Sequence, residues 1–380
     1  MPEETGAKVK IWLPKLQAEK TQGLCDESKP RCKKCSSFGV LCNFGLNIPD
    51  LHPITSDTVR AMVRCKPSPQ RPVTSAIWTS DEYSIYQLNA KCQDFVTRYY
   101  ARSLLTPDGN MIDVNRRLFK LAFTNPCLMH ASLAVALTYD RYLKTSSSPR
   151  SLEECYHWSQ STALFNKKLR EPVKTQDKDP IWGTAAALAV LTFSSPDAYR
   201  PEDSWPLKTG DDDLDWASMI SGKMSLWNMV DPLRNDSLFR VMAVTIAQMQ
   251  APLPDVGRDG IPTVLAAVCL LNETSTPENP YFYAAHAVSR VLHIPDSEVT
   301  TGQTQLFTHR IDGAFKELLL ARDPVALLLL YVWYRKAGRS IWWVELRARV
   351  ECPAICLYLQ RYHPDDVAVH ALLQSDITIR

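Results

Sequence analysis

DPVALLLLYVWYRKAGRSIWWVELRARVECPAICLYLQRY, residues 323–362, decides the fold. Asp323 followed by Pro324 supplies a helix N-cap and a first-turn proline, and Gly338 supplies a stop, which is the asymmetry of an α-helix rather than of a strand. The apolar run between them, Val325 to Tyr334, is about half the length a bilayer crossing requires, so it reads as a buried helix. After Ser340 a second helix carries Trp342, Trp343, Leu346 and Val350 toward Leu359, with Pro353 expected to kink it. Cys352 and Cys356 fall on one face of that helix with no His or Cys nearby to complete a metal site, so they read as packing residues. Tyr331, Trp333, Tyr334 and the Trp342-Trp343 pair read first as core.

The same period extends upstream. From Cys127 to Leu143 the residues Leu128, Ala131, Val135, Tyr139 and Tyr142 recur three or four apart, and Trp158, Thr162, Phe165 and Leu169 repeat the pattern in the next segment. From Trp78 to Arg380 such segments follow one another with Pro-rich breaks and no run of alternating strands, so the expected fold class is all-α. No internal repeat is visible.

Composition fits a globular protein: 380 residues, 45% hydrophobic and 22% charged, with a formal net charge of +2. The charge is unevenly spread. Eight Lys and Arg residues lie between Lys8 and Lys34 against three acids, Glu19, Asp26 and Glu27, so the front of the chain is locally basic, as a nucleic-acid-facing head would be. The opening MPEETGAKVKIW lacks a basic region followed by a long apolar stretch, which predicts no secretory signal and a reducing compartment.

Of 11 cysteines, four crowd into CDESKPRCKKCSSFGVLC, where Cys25, Cys32, Cys35 and Cys42 are spaced C-x6-C-x2-C-x6-C. Thiolates hold zinc tetrahedrally, and the two-residue gap lets Cys32 and Cys35 reach one ion from a single turn, so all four are candidate ligands of Zn2+. Residues 1–44 bury too little to fold without such a cross-link. Residues 45–77, with repeated Pro, Ser and Thr, read as a linker, and 78–380 as the helical domain.

The cysteine stretch resembles the second half of the fungal Zn(II)2Cys6 (C6 finger) cluster. Cys25 followed by Asp26-Glu27 aligns with the third cysteine of that pattern, and Cys32, Cys35 and Cys42 with the fourth, fifth and sixth. Ahead of Cys25 stands KVKIWLPKLQAEKTQGL, which lacks the first cysteine pair and the basic run that leads into the third. Either the half-motif has been lost, or an alternative first exon or displaced splice boundary replaces it. NPCLMHASLAVAL (125–137), HWSQSTALFNKKL (157–169), PEDSWPL (201–207), DLDW (213–216), DPLRNDSLF (231–239) and the segment from Trp342 are similar to the regulatory domain of one branch of these factors, which includes sterol-uptake-control-like proteins.

The resemblance spans about nine-tenths of the chain. It implies a nuclear, non-enzymatic, zinc-dependent regulator of RNA polymerase II genes in a fungus, controlling metabolic or secondary-metabolite genes. Two zinc ions are usual in the family; the residues here offer ligands for one, or none if the motif is a relic. Its expected partners are DNA, a full-length relative or the transcription machinery, and a small hydrophobic ligand of the helical domain, with no membrane. Lys29, Arg31, Lys33 and Lys34 are the candidate contacts to the DNA backbone, since phosphate attraction needs only clustered positive charge. The alternative is a sensor or interaction protein that keeps the helical domain without reading DNA.

Enzymatic readings find little support in the residues. His130, His157, His286 and His293 stand near no visible nucleophile or carboxylate arrangement and read as structural. Asp211, Asp212, Asp213 and Asp215 lack calcium-loop spacing and read as a solvated run or helix cap.

Overall fold

The computed structural model describes residues 77–80, 85–88, 109–144, 149–196, 198–210, 213–311 and 313–374. The fold is all-α. One departure precedes the helices: strands β1 (Ile77–Ser80) and β2 (Ile85–Leu88) pair antiparallel with Ile77 opposite Leu88. This hairpin stands where the sequence reading expected the linker to give way to helices, because two four-residue strands are too short to establish an alternation.

Four long helices form the first layer of the domain: α1 (Gly109–Ala122), α2 (Pro126–Tyr142), α3 (Leu152–Leu169) and α4 (Lys178–Ser194). Pro126 opens α2 with its pre-set backbone angle. Ser151 caps α3, its hydroxyl accepting from the Glu154 amide at 3.1 Å. The helices α2, α3 and α4 pack against one another, and α1 covers α2 and α4.

The chain then makes shorter helices, α5 (Asp215–Ser225), α6 (Trp227–Val230), α7 (Ala243–Met249), α8 (Thr263–Val268), α9 (Phe282–Leu292), α10 (Thr301–Thr308) and α11 (Gly313–Leu320). It closes with α12 (Pro324–Ala337), α13 (Trp342–Tyr362) and α14 (Val367–Gln374). The expected start of α12 is present, with Asp323 Oδ1 accepting from the amides of Val325 at 3.0 Å and Ala326 at 2.9 Å. Residues 326–334 are buried throughout, so α12 is the central helix of the second layer. Helix α13 continues through Pro353 because that proline lies on the exposed face, where water can serve the carbonyl that its missing N–H leaves free.

Two apolar cores result. One gathers Val114, Phe165, Ile181, Trp182 and Leu188 among α1 to α4. The other gathers Trp216, Phe282, Phe307, Leu327 and Trp333 around α12. Helix α4 serves both, contributing Leu188 to the first and Phe193 to the second. Tyr331, Trp333 and Tyr334 are buried, as the core reading expected, and each such side chain contributes roughly 2–3 kcal/mol, whereas Trp342 and Trp343 are only half-buried against the cores.

Two sequence expectations need correction. Helix α2 is buried nearly all round from Pro126 to Thr138, rather than along one stripe, because α1, α3, α4 and α13 surround it. In α3 the buried face is Glu154, His157, Ser161 and Phe165, whereas Trp158, Thr162 and Leu169 are only half-buried. Three of those four buried residues are polar, so an apolar period could not find them; they are buried because each has a partner.

Candidate functional site

Cys25, Cys32, Cys35 and Cys42, and the basic residues Lys29, Arg31, Lys33 and Lys34, lie outside the described residues. Among the described residues no three His, Cys, Asp or Glu side chains come together in a way that could hold a metal ion, and no helix is long and apolar enough to cross a membrane. What the helical domain does contain is a polar seam built on α2, α3 and α13, buried at Glu154, Arg347 and Glu351 and open to solvent at Glu345 and Arg349.

The seam begins at Glu154. Arg141 near the end of α2 grips its carboxylate through Nε at 3.1 Å and Nη2 at 2.9 Å, and the Thr138 hydroxyl donates to the same carboxylate at 2.9 Å. Arg141 Nη2 also donates to Ser195 Oγ at 3.2 Å, tying the end of α4 into the group. The two ionic side chains are only 10% and 1% exposed, and a charge pair so withdrawn from water persists only when its hydrogen bonds are satisfied on both sides.

One turn further along α2, the Tyr142 hydroxyl donates to Glu345 Oε2 at 2.6 Å. Arg349 donates to Glu345 Oε1 at 2.8 Å and to the Tyr142 carbonyl at 2.8 Å, and its guanidinium lies 4.6 Å from the Tyr142 ring centroid. Burial, and then the hydrogen bond and charge of Glu345, push the Tyr142 phenol up to about 12, so it stays a donor at every physiological pH. Tyr139 and Trp342 complete an aromatic collar around this contact, with ring centroids 5.0 Å apart.

Helix α13 carries a second pair of opposite charges four residues apart, Arg347 and Glu351. Arg347 Nη1 donates to Glu351 Oε1 at 3.1 Å and its Nε to the Phe193 carbonyl at 3.0 Å, while the Tyr334 hydroxyl donates to Glu351 Oε2 at 2.6 Å. Burial raises the Glu351 carboxyl and Arg347 opposes that rise; burial, with the Glu351 charge, holds the Tyr334 phenol well above its usual range. The ELRARVE segment (345–351) thus presents Glu345 and Arg349 to α2, and Arg347 and Glu351 to α4 and α12. In sequence its alternating charges look like an exposed helix face, and the only hint to the contrary is the apolar residues on both sides.

Two of the histidines meet. His130 on α2 and His157 on α3 approach Nδ1 to Nδ1 at 2.9 Å, so one ring carries its proton on Nδ1 and the other accepts through it. Burial lowers both rings, His157 to about 4, and the pair is neutral near pH 7. His286 is held by the Gly257 carbonyl at 3.1 Å and His293 is exposed. In the acidic run, Asp213 Oδ2 accepts from the Gly210 amide at 3.1 Å, closing a local turn, whereas the helix that follows has Leu214 at its N-cap and no side-chain cap. Burial raises the thiols of Cys352 and Cys356, which keeps them protonated and unreactive in the core.

Chemically, the Tyr142 and Tyr334 phenols of the seam hold their protons near neutral pH and act as hydrogen-bond donors to Glu345 and Glu351. Helix α13 is hydrogen-bonded to α2 at one register and to α4 and α12 at the next, so the seam ties the two cores together. No protein-family model matches the chain, and no curated protein matches it in sequence.

Proposed function

We propose that this protein is a non-enzymatic regulator of transcription in a fungal nucleus, in which a zinc-stapled basic head precedes an all-α regulatory domain. The observation that carries the reading is the C-x6-C-x2-C-x6-C spacing of Cys25, Cys32, Cys35 and Cys42 within a basic segment, set ahead of that domain. Four thiolates at this spacing suit one tetrahedral Zn2+, whose binding would supply the folding energy that 44 residues cannot find in a core. Lys29, Arg31, Lys33 and Lys34 would then face the DNA backbone. The regulated genes would be metabolic or secondary-metabolite genes, and the helical domain would answer to a full-length relative, the transcription machinery or a small hydrophobic ligand.

A second reading has its own support. The stretch before Cys25 lacks the cysteine pair and basic run that the resemblance requires for reading bases, which favours a sensor or interaction protein that modulates a relative without binding DNA specifically. Elemental analysis of the purified chain, with binding to CGG-containing duplexes at physiological salt, separates the two. Two zinc ions with CGG-dependent affinity would establish a conventional regulator. One zinc with weak, salt-sensitive and sequence-blind binding would favour the sensor. Absence of zinc would remove the head from either account.

A further inference from the structure

At the end of α13 far from the seam, an aromatic cluster faces solvent. Tyr358 is half-buried and packs on the second core, and Tyr362, one turn later, is 56% exposed. Their ring centroids lie 4.8 Å apart, and the His363 ring stands 5.9 Å from that of Tyr358. The cluster is held in place. The His363 amide donates to the Leu359 carbonyl at 2.9 Å, and His370 Nε2 lies 2.9 Å from the His363 carbonyl, which ties the turn after α13 to α14.

Arg322 joins the cluster from another element, its guanidinium 6.0 Å from the Tyr358 ring centroid. It follows α11 with φ +59°, in a helix stop where its amide donates to the Leu319 carbonyl at 3.0 Å and the Asp323 amide to the Leu318 carbonyl at 2.9 Å. That position favours glycine, which adopts the left-handed conformation without steric cost. An arginine there keeps the strain and gains a cation beside the rings, the kind of local cost found where a side chain serves a contact. Arg361, next to Tyr362, is exposed. Among the described residues no acid forms an ion pair with Arg322 or Arg361. Of the neighbouring acids, Asp323 caps α12 and Asp366 accepts from the Val369 amide in the first turn of α14, which leaves Asp365 exposed.

Tyrosine and arginine at the surface of a firmly held helix end have the composition of an interface hot spot, where a flat ring supplies apolar area and a guanidinium supplies charge-assisted hydrogen bonds. The two arginines set the sign of the partner. Single-stranded nucleic acid, the other anionic class with apolar faces, fits less well. Tyr358 is already engaged by Tyr362 and Arg322, and successive bases need successive open rings.

We infer that Tyr358, Tyr362 and His363, with Arg322 and Arg361, form a docking surface for an acidic peptide segment of a partner protein. An apolar side chain of the peptide rests on the Tyr362 ring, and flanking carboxylates meet Arg322 and Arg361. The surface lies wholly in the helical domain, so the inference stands or falls apart from the zinc reading of the head.

The test uses the full chain and a short fluorescein-labelled peptide that alternates aspartate with leucine and phenylalanine, titrated by fluorescence anisotropy. Saturable binding is expected, weakened about ten-fold or more by Tyr362→Ser and by Arg361→Gln, as loss of a hot-spot contact requires. Tyr362→Phe, which keeps the ring, and Arg170→Gln, at an exposed arginine that ends α3, should bind as the native chain does. A peptide with lysine in place of aspartate, and one with serine in place of the apolar residues, should each bind about ten-fold more weakly or worse. Hydroxyl-radical footprinting gives a readout that needs no variant: the bound peptide should protect Tyr362 and leave Leu143 open. Leu143 follows Tyr142 at the Glu345 end of α13, roughly 25 Å along the helix from Tyr362. Absence of saturable binding, unchanged affinity in Tyr362→Ser and Arg361→Gln, equal loss in Arg170→Gln, equal binding of the lysine peptide, equal protection of Leu143, or tighter binding of oligothymidylate than of the peptide would each overturn the assignment.

Discussion

His130 and His157 share a hydrogen bond between their Nδ1 atoms at 2.9 Å, one histidine from each of two of the three helices that form the polar seam. A first added proton charges one ring against the cost of burial, and a second would place two like charges in the interior and leave the Nδ1 contact without an acceptor.

Folding stability should therefore fall in acid. Both rings bind a proton less readily in the folded chain than in the unfolded one, so the stability they confer is complete above the ordinary histidine value of 6.5 and is lost as pH falls from there toward about 4. For His157 alone the loss is roughly 3 kcal/mol, taking about 1.4 kcal/mol per pH unit. His130→Leu with His157→Leu should flatten the pH dependence of the urea midpoint over that window, leaving the slope due to His309, which burial also lowers to about 4. An unchanged slope in the double variant would show that the pair is not what titrates.

Arg141→Met strands the Glu154 carboxylate in the interior and should cost about 3–5 kcal/mol in urea unfolding. Replacing both partners with apolar residues should recover much of that, because no unpaired charge is left. If the single and double variants are equally unstable, the packing of the stems matters and the ion pair does not.

Two glycines should respond oppositely to alanine. A Cβ on Gly302 of α10 would stand 2.5 Å from the Thr245 carbonyl of α7, so Gly302→Ala must push the helices apart. It should destabilise by about 1–3 kcal/mol, as overpacking does. Gly222 of α5 has nothing within 4 Å, and Gly222→Ala should stabilise by up to about 1 kcal/mol through helix propensity. Thermal melting of the two variants decides.

Asp323→Ala removes the cap of α12, and with it the hydrogen bond that the Tyr281 hydroxyl donates to the same carboxylate at 3.0 Å. A loss of about 1–2 kcal/mol is expected from the cap. Asp323→Asn, which keeps an accepting oxygen, should cost less. Equal losses would point to charge rather than capping.

Much of the framework was legible in the residues. Asp323-Pro324 and Gly338 bound α12 where the capping rules put them, and the run from Val325 to Tyr334 is the buried helix its composition demands. The seam was not legible. Glu154, His157 and Ser161 interrupt any apolar stripe, and ELRARVE resembles a solvated face, so a rule that sorts residues by polarity assigns them to water.

By itself the sequence determined the all-α class and the course of α2, α3, α12 and α13, because caps, prolines and the period of apolar residues act over a few positions along the chain. It also carries the whole of the zinc reading, since ligand spacing is a local property. The tertiary structure alone decided which charges are buried and with whom: Arg141 meets Glu154 from another helix, and Tyr334 of α12 meets the Arg347–Glu351 pair of α13. A buried charge is tolerated only through its partner, and pairing between distant helices is fixed by how the two cores pack.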